Sequence, residues 1–153
     1  MPKADQTRKD LANALGLNDP KRSWHTDRTP VLRIADWSAR VTTILSAMGQ
    51  SLIGLSAGGI DEVTFGLSGV SSTMPQKQNP VAPSALVALS NQVSGLRSCL
   101  HTGATHQHQR DGVAWFTEWM TLPQIMLSGA SALSHAKILS ANIFRFLSWV
   151  QPL

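Results

Sequence analysis

From Thr29 to Leu55 the chain reads TPVLRIADWSARVTTILSAMGQSLIGL. Within it Ile34, Trp37, Val41, Ile44 with Leu45, Met48, Leu52 and Leu55 recur at steps of three and four, the period of one face of an α-helix. Thr29 before Pro30 suits an N-cap followed by proline at the first helical position. Gly58-Gly59 stops the run, so a helix is predicted from Pro30 to Leu55. A second period follows at Leu86, Leu89, Val93, Leu96 and Leu100 and predicts a helix from Ala82 to near His106. At 1.5 Å per residue that helix is roughly 37 Å long. Gln107 to Gly112 is a polar break, and a third long helix is expected from Val113 to Phe146. Pro123 lies inside it and should kink it or mark a junction with a shorter helix. Upstream, Ala4 to Leu15 reads as a short amphipathic helix ended by Gly16, and Asn18-Asp19-Pro20 as a turn. No strand-type alternation and no sequence repeat stands out. The expected fold is therefore all-α: an elongated bundle of long antiparallel helices.

Composition narrows the partners. Charged residues make up 14% of the 153 residues and hydrophobic residues 42%, which leaves long helical faces without charge. Three helices cannot bury all of that surface among themselves, so part of the core is expected between copies in a homo-oligomer. The net charge is +4 and the pI about 9.8. Yet eight of the thirteen basic residues lie before residue 41, singly or in pairs such as Arg8-Lys9 and Lys21-Arg22, interleaved with acids. With no basic run and no aromatic-basic stripe, nucleic acid is not the expected partner; a small anionic substrate accounts for the excess equally well. Cys99 is the single cysteine, so no internal disulfide can form and a cytoplasmic location is expected. No run of about eighteen apolar residues is present, so no membrane partner is expected.

The stretch from residue 58 to about 80 has no helical period and is rich in glycine, serine and proline. Loops of this length are usually functional or disordered. Pro75 and Pro80 stiffen it. Lys77 and Asn79 alternate, so in an extended loop both face one side, where an ammonium and an amide make a receptor for carboxylate or phosphate. Read as residues alone, the segment is equally a solvated connection between helices.

The run Ser71-Ser72-Thr73-Met74-Pro75-Gln76-Lys77-Gln78-Asn79-Pro80 resembles the signature loop of the fumarase/aspartase superfamily, Ser-Ser-x-Met-Pro-x-Lys-x-Asn-Pro, with all seven fixed positions filled. The resemblance implies that Ser71 is the catalytic base, taking a proton next to a carboxylate. It implies that Lys77 and Asn79 hold substrate carboxylates, with Ser72, Thr73 and Met74 in the same substrate-binding loop. Trp24-His25-Thr26-Asp27-Arg28 looks like the start of the superfamily's substrate wall, which makes His25, Thr26 and Arg28 candidate substrate contacts. Gln109-Arg110-Asp111-Gly112 and Trp115-Phe116-Thr117-Glu118-Trp119 look like the 3-carboxy-cis,cis-muconate cycloisomerase group and add Arg110. A tricarboxylate needs guanidinium partners; Asp111 and Glu118 are expected to position those arginines. Adenylosuccinate lyases carry a related Glu-Arg-Asp followed by a serine-rich phosphate-binding stretch, which this chain lacks.

The implied reaction is lactonisation of 3-carboxy-cis,cis-muconate in aromatic-compound catabolism, with no cofactor and no metal. His101, His106 and His108 lack partner cysteines or carboxylates at metal-site spacing. Members of the superfamily are more than twice this length, are tetramers, and build each site from three subunits. The 153 residues are therefore expected to be a central helical domain, with the family's N-terminal and C-terminal domains absent. Other readings stand beside this one: an inactive oligomerisation or structural remnant of the superfamily, an adenylosuccinate lyase-like lyase, and a basic helical nucleic-acid binder.

Overall fold

The computed structural model describes residues 2–60, 62–65, 69–70 and 78–145. Four helices carry the fold: α1 (Pro2–Ala14), α2 (Thr29–Leu55), α3 (Val81–Gly103) and α4 (Gly112–Ala141). The class is all-α, as the periodicities require. Two short antiparallel ladders add to it: β1 (Val63–Phe65) pairs with β4 (Ile143–Arg145), and β2 (Gly69–Val70) pairs with β3 (Gln78–Asn79). The third long helix thus stops at Ala141 rather than Phe146, because residues 143–145 pair with β1. Pro123 does not divide it: α4 is a single helix that contains the proline. None of the helices is long and apolar enough to cross a membrane among the described residues.

The helix ends follow from local chemistry. Gly16 adopts φ 64°, and the Leu17 N–H reaches back to the Ala12 carbonyl at 2.9 Å, closing α1. Thr29 is not an N-cap; it is the first residue of α2, and its N–H donates to Asp27 at 3.1 Å, with Pro30 in the first turn. Asp111 caps α4 by accepting from the Val113 and Ala114 N–H groups at 3.1 and 3.2 Å.

Cross-helix contacts set the directions. Asp36 near the start of α2 meets Arg97 and His101 near the end of α3, whereas Gly49 near the end of α2 meets Pro83 at the start of α3. Gly103 of α3 abuts Thr117 of α4, and Ser38 of α2 abuts Gly129 of α4. So α3 runs antiparallel to both α2 and α4, which are parallel to each other.

Two clusters make the core. Leu52, Val63, Phe65, Leu86, Ala132, Ala136 and Leu139 fill one end, and Ala35, Val93, Leu100 and Ile125 the other. The α3 stripe lies inward: Leu86, Val93 and Leu100 are essentially inaccessible. On α2 the buried residues are Ala35, Ser38, Thr42, Gly49 and Leu52. The large-residue stripe is split: Leu52 is buried and Leu45 and Met48 pack against the core. Ile34, Trp37 and Ile44 stay 50%, 54% and 70% exposed. Small side chains at Ala35, Ser38 and Thr42 let α2 approach its neighbours closely, which leaves Ile34, Trp37 and Ile44 outside. Helix α4 also leaves Val113, Phe116, Met120 and Leu127 exposed.

Candidate functional site

The loop entering α2 and the first turns of α4 enclose a groove of about 340 Å³ lined by Trp24, His25, Arg28, Trp115, Glu118 and Trp119. Trp115 and Trp119 are one helical turn apart on α4 and stack with ring centroids at 6.1 Å. The His25 ring lies 6.4 Å from Trp115, and its Nδ1 is in a short contact with the Ser23 hydroxyl.

The polar centre of this groove is an ion pair. Arg28 Nε donates to Glu118 Oε2 at 2.7 Å and Nη2 donates to Oε1 at 2.6 Å. The two side chains are only 18% and 12% exposed. This fork-to-fork arrangement is the strong form of a charge-assisted pair. A third bond runs from Arg28 Nη1 to the Trp24 carbonyl at 3.0 Å. Three of the five guanidinium N–H groups are therefore engaged, leaving two for any ligand.

The remaining candidates are placed as follows. Thr26 and Arg110 are exposed and do not line the groove. Asp111 does not position an arginine: besides capping α4 it accepts from the Gln107 N–H at 2.9 Å. Those backbone donors, Gln107 first and Ala114 next, hold its carboxyl below the ordinary carboxylate range. Glu118 does position one, Arg28. Asn79 ends β3, directly ahead of Pro80 and α3. Ser71, Ser72, Thr73, Met74 and Lys77 lie outside the described residues. His106 has both ring nitrogens buried without a hydrogen-bond partner among the described residues; His108 is exposed and His101 pairs with Asp36 at 2.9 Å. No group of three His, Cys, Asp or Glu side chains converges as metal ligands among the described residues.

The geometry separates the candidates into two groups. Asn79 precedes α3, while His25 and Arg28 precede α2 and Arg110 precedes α4. Because α3 runs opposite to the other two, these groups sit at opposite ends of the bundle. The 23 residues of α3 separate them by roughly 34 Å.

A family model described as Lyase matches residues 2–95, more than half of the chain. The chain belongs to this lyase family. Within it, this lyase chain is 34% identical over 136 residues to 3-carboxy-cis,cis-muconate cycloisomerase of Pseudomonas putida, covering 87% of this chain and 32% of that protein. It is 30% identical over 126 residues to N-acetyl-S-(2-succino)cysteine lyase of Dickeya dadantii, covering 80% and 28%. The crystal structure of 3-carboxy-cis,cis-muconate lactonizing enzyme from Pseudomonas putida superposes with a TM-score of 0.80 at 29% identity, covering 91% of this chain and 31% of that one. The lyase chain thus spans about a third of the relatives it matches.

The aromatic groove was not assembled from sequence as a unit. Its signal is the one-turn spacing of Trp115 and Trp119 with Glu118 beside them; the partner, Arg28, is 90 residues away.

Proposed function

We propose that this chain supplies the central helical part of an enzyme that lactonises 3-carboxy-cis,cis-muconate, with Ser71 as the base. The observation that carries the reading is the run from Ser71 to Pro80, ten residues with every fixed position of the signature loop present. The similarity to a cycloisomerase of Pseudomonas putida supports the choice of substrate.

In the lactonising direction a substrate carboxylate oxygen bonds to one alkene carbon, and the neighbouring carbon takes a proton. In reverse, Ser71 removes that proton and the C–O bond breaks. A serine hydroxyl is a weak base, so the site must stabilise its alkoxide with positive charge and donors. Lys77 is the cation nearest to it in sequence, and Asn79 offers an amide to a substrate carboxylate. Ser72, Thr73 and Met74 complete the loop's contact surface. Arg28, held by Glu118, keeps two N–H groups for a carboxylate, and His25 flanks it.

Asn79 and Arg28 are too far apart in one chain to hold one substrate, so a complete site draws on more than one copy. The outward Ile34, Trp37 and Ile44 of α2 supply the apolar surface for such an assembly, which on this reading is a homotetramer. The chain alone is then expected to turn over several orders of magnitude more slowly than a full-length relative, since members of one catalytic unit lose rate together.

The test is a lactonisation assay followed by absorbance. The chain is assayed alone and mixed with a full-length relative whose signature-loop serine is replaced by alanine. Restored turnover in the mixture, abolished by Ser71→Ala in the chain, is the expected result. Turnover by the chain alone within about tenfold of an intact relative contradicts the shared site. A second reading, elimination from a substituted succinate, is favoured by the similarity to the Dickeya dadantii lyase. Turnover of an S-succino-thiol by the mixture, without turnover of the muconate, would select it.

A further inference from the structure

A second polar cleft lies between α2 and α3, away from the aromatic groove. It encloses about 220 Å³ and is lined by Asp36, Arg40 and Thr43 from α2 and by Ser90, Ser94 and Arg97 from α3. At about 30 Å³ per water it holds roughly seven waters or a small organic anion. The Asp36 carboxylate is engaged through Oδ1, which accepts from Arg97 Nε at 2.5 Å and His101 Nε2 at 2.9 Å. Arg40 has no carboxylate or hydrogen-bond acceptor among the described residues. The hydroxyls are also informative. Thr42, Thr43, Thr102, Thr117 and Thr121 each donate to a carbonyl of their own helix. Ser90 and Ser94 make no such bond, although Ser90 is only 9% exposed. An unpaired guanidinium and two unspent hydroxyls therefore converge on one cavity. Two guanidiniums against one carboxylate give the cleft a net positive charge.

We propose that this cleft is a binding site for a small oxyanion, a dicarboxylate the size of succinate, held by Arg40 with Ser90 and Ser94 as neutral donors. The donors outnumber the free acceptors, and a multi-atom carboxylate takes a guanidinium fork and hydroxyls together. The cleft shares no lining residue with the groove around Arg28.

The experiment is calorimetric titration of the 153-residue chain with succinate and with inorganic phosphate, alongside sedimentation equilibrium. The expected result is saturable binding of at least one of the two. Arg40→Gln, on an exposed helix face that tolerates glutamine, weakens it by about ten- to a hundredfold, as deletion of a charge-assisted hydrogen bond should. Ser94→Ala weakens it less. Binding that survives Arg40→Gln overturns the proposal. If Arg40→Gln dissociates an assembly and no titration heat is found with either anion, the guanidinium serves a carboxylate of a second copy, and the small-anion site is refuted.

Discussion

Replacing Gly49 by alanine tests the helix packing that places the entry to α3. A Cβ at Gly49 would lie 2.7 Å from the Pro83 carbonyl oxygen, 3.2 Å from Leu86 Cβ and 3.3 Å from Val87 Cγ2. The nearest atom is backbone in the first turn of α3, so it cannot rotate away as a side-chain tip would. Two effects oppose each other. Alanine in place of an interior helical glycine gains about 1 kcal/mol from backbone entropy and propensity. Overpacking a close-packed contact costs about 1–3 kcal/mol, and the upper half of that range applies when the obstacle is backbone. Separating α2 from α3 also opens the cluster around Leu86 and Leu52, both buried. The net expectation is a destabilisation of about 1–2 kcal/mol. Gly95 is the control: it lies in α3 with no atom within 4 Å of the added Cβ, so only the propensity gain of about 1 kcal/mol remains. In urea, with a slope of about 1–3 kcal/mol per molar, the two variants should move the unfolding midpoint in opposite directions by roughly half a molar to one molar. Equal stabilisation by both substitutions would falsify the claim that α2 and α3 touch at Gly49.

Three further outcomes follow from named contacts. Glu118→Gln leaves Arg28 with half of its fork in a groove where both side chains are largely covered; a loss of about 2–3 kcal/mol, or roughly 4–10 °C in Tm, is expected by calorimetry, and a shift under 1 °C would contradict it. Asp36 is held below its ordinary value chiefly by the Arg97 hydrogen bond and then by His101, and Asp19 chiefly by Arg8. A lowered folded-state value contributes stability above the unfolded value of 3.8 and loses it as pH falls through the folded one. Tm should therefore hold from neutral pH down to about 5 and fall below about 4, and Asp36→Asn should shallow that fall; an identical acid profile for the variant would remove Asp36 from the account. Ile44→Glu, at a 70% exposed position, should shift sedimentation toward monomer while leaving the helical circular dichroism intact; an unchanged assembly would show that this face is not the contact.

Apolar pattern and burial agree unevenly along the chain. On α3 the large apolar residues and the buried face coincide at Leu86, Val93 and Leu100, so the period identified the core. On α2 two stripes share one period. Ile34, Trp37 and Val41 form one, and Ala35, Ser38 and Thr42 form the other, a single residue later. Periodicity finds the helix but cannot choose between neighbouring stripes when the inward contacts are made by small side chains. The ladder of Val63–Phe65 with Ile143–Arg145 was illegible for a different reason: three residues give no measurable alternation, and the partners are some eighty positions apart. The signature loop was legible because its motif is local in sequence. The pairing of Glu118 with an arginine was expected through the resemblance and is made with Arg28; the aromatic groove around it was not, because its two walls come from segments about 90 positions apart. Asp111 was misread because Asp before a helix serves equally as a cap or as a partner for an arginine, and only the backbone geometry decides.

The antiparallel course of α3 explains why the candidate residues divide as they do. Each connecting segment belongs to the end of the bundle from which the next helix starts. The segments before α2 and α4 share one end, and Asn79, before α3, belongs to the other. No change of side-chain conformation brings Arg28 across a helix of 23 residues, since even a fully extended arginine reaches only a small fraction of roughly 34 Å. On the proposed reading, the substrate must then lie where one end of one copy meets the opposite end of another. That places the catalytic demand on the same faces that carry the unpaid apolar exposure, Ile34, Trp37 and Ile44 on α2 and Val113, Phe116, Met120 and Leu127 on α4. A helix apolar on several sides is ordinarily a buried one. Burying these faces between copies would therefore both stabilise the helices and bring the two halves of the site together, so that assembly and activity are lost by the same substitution.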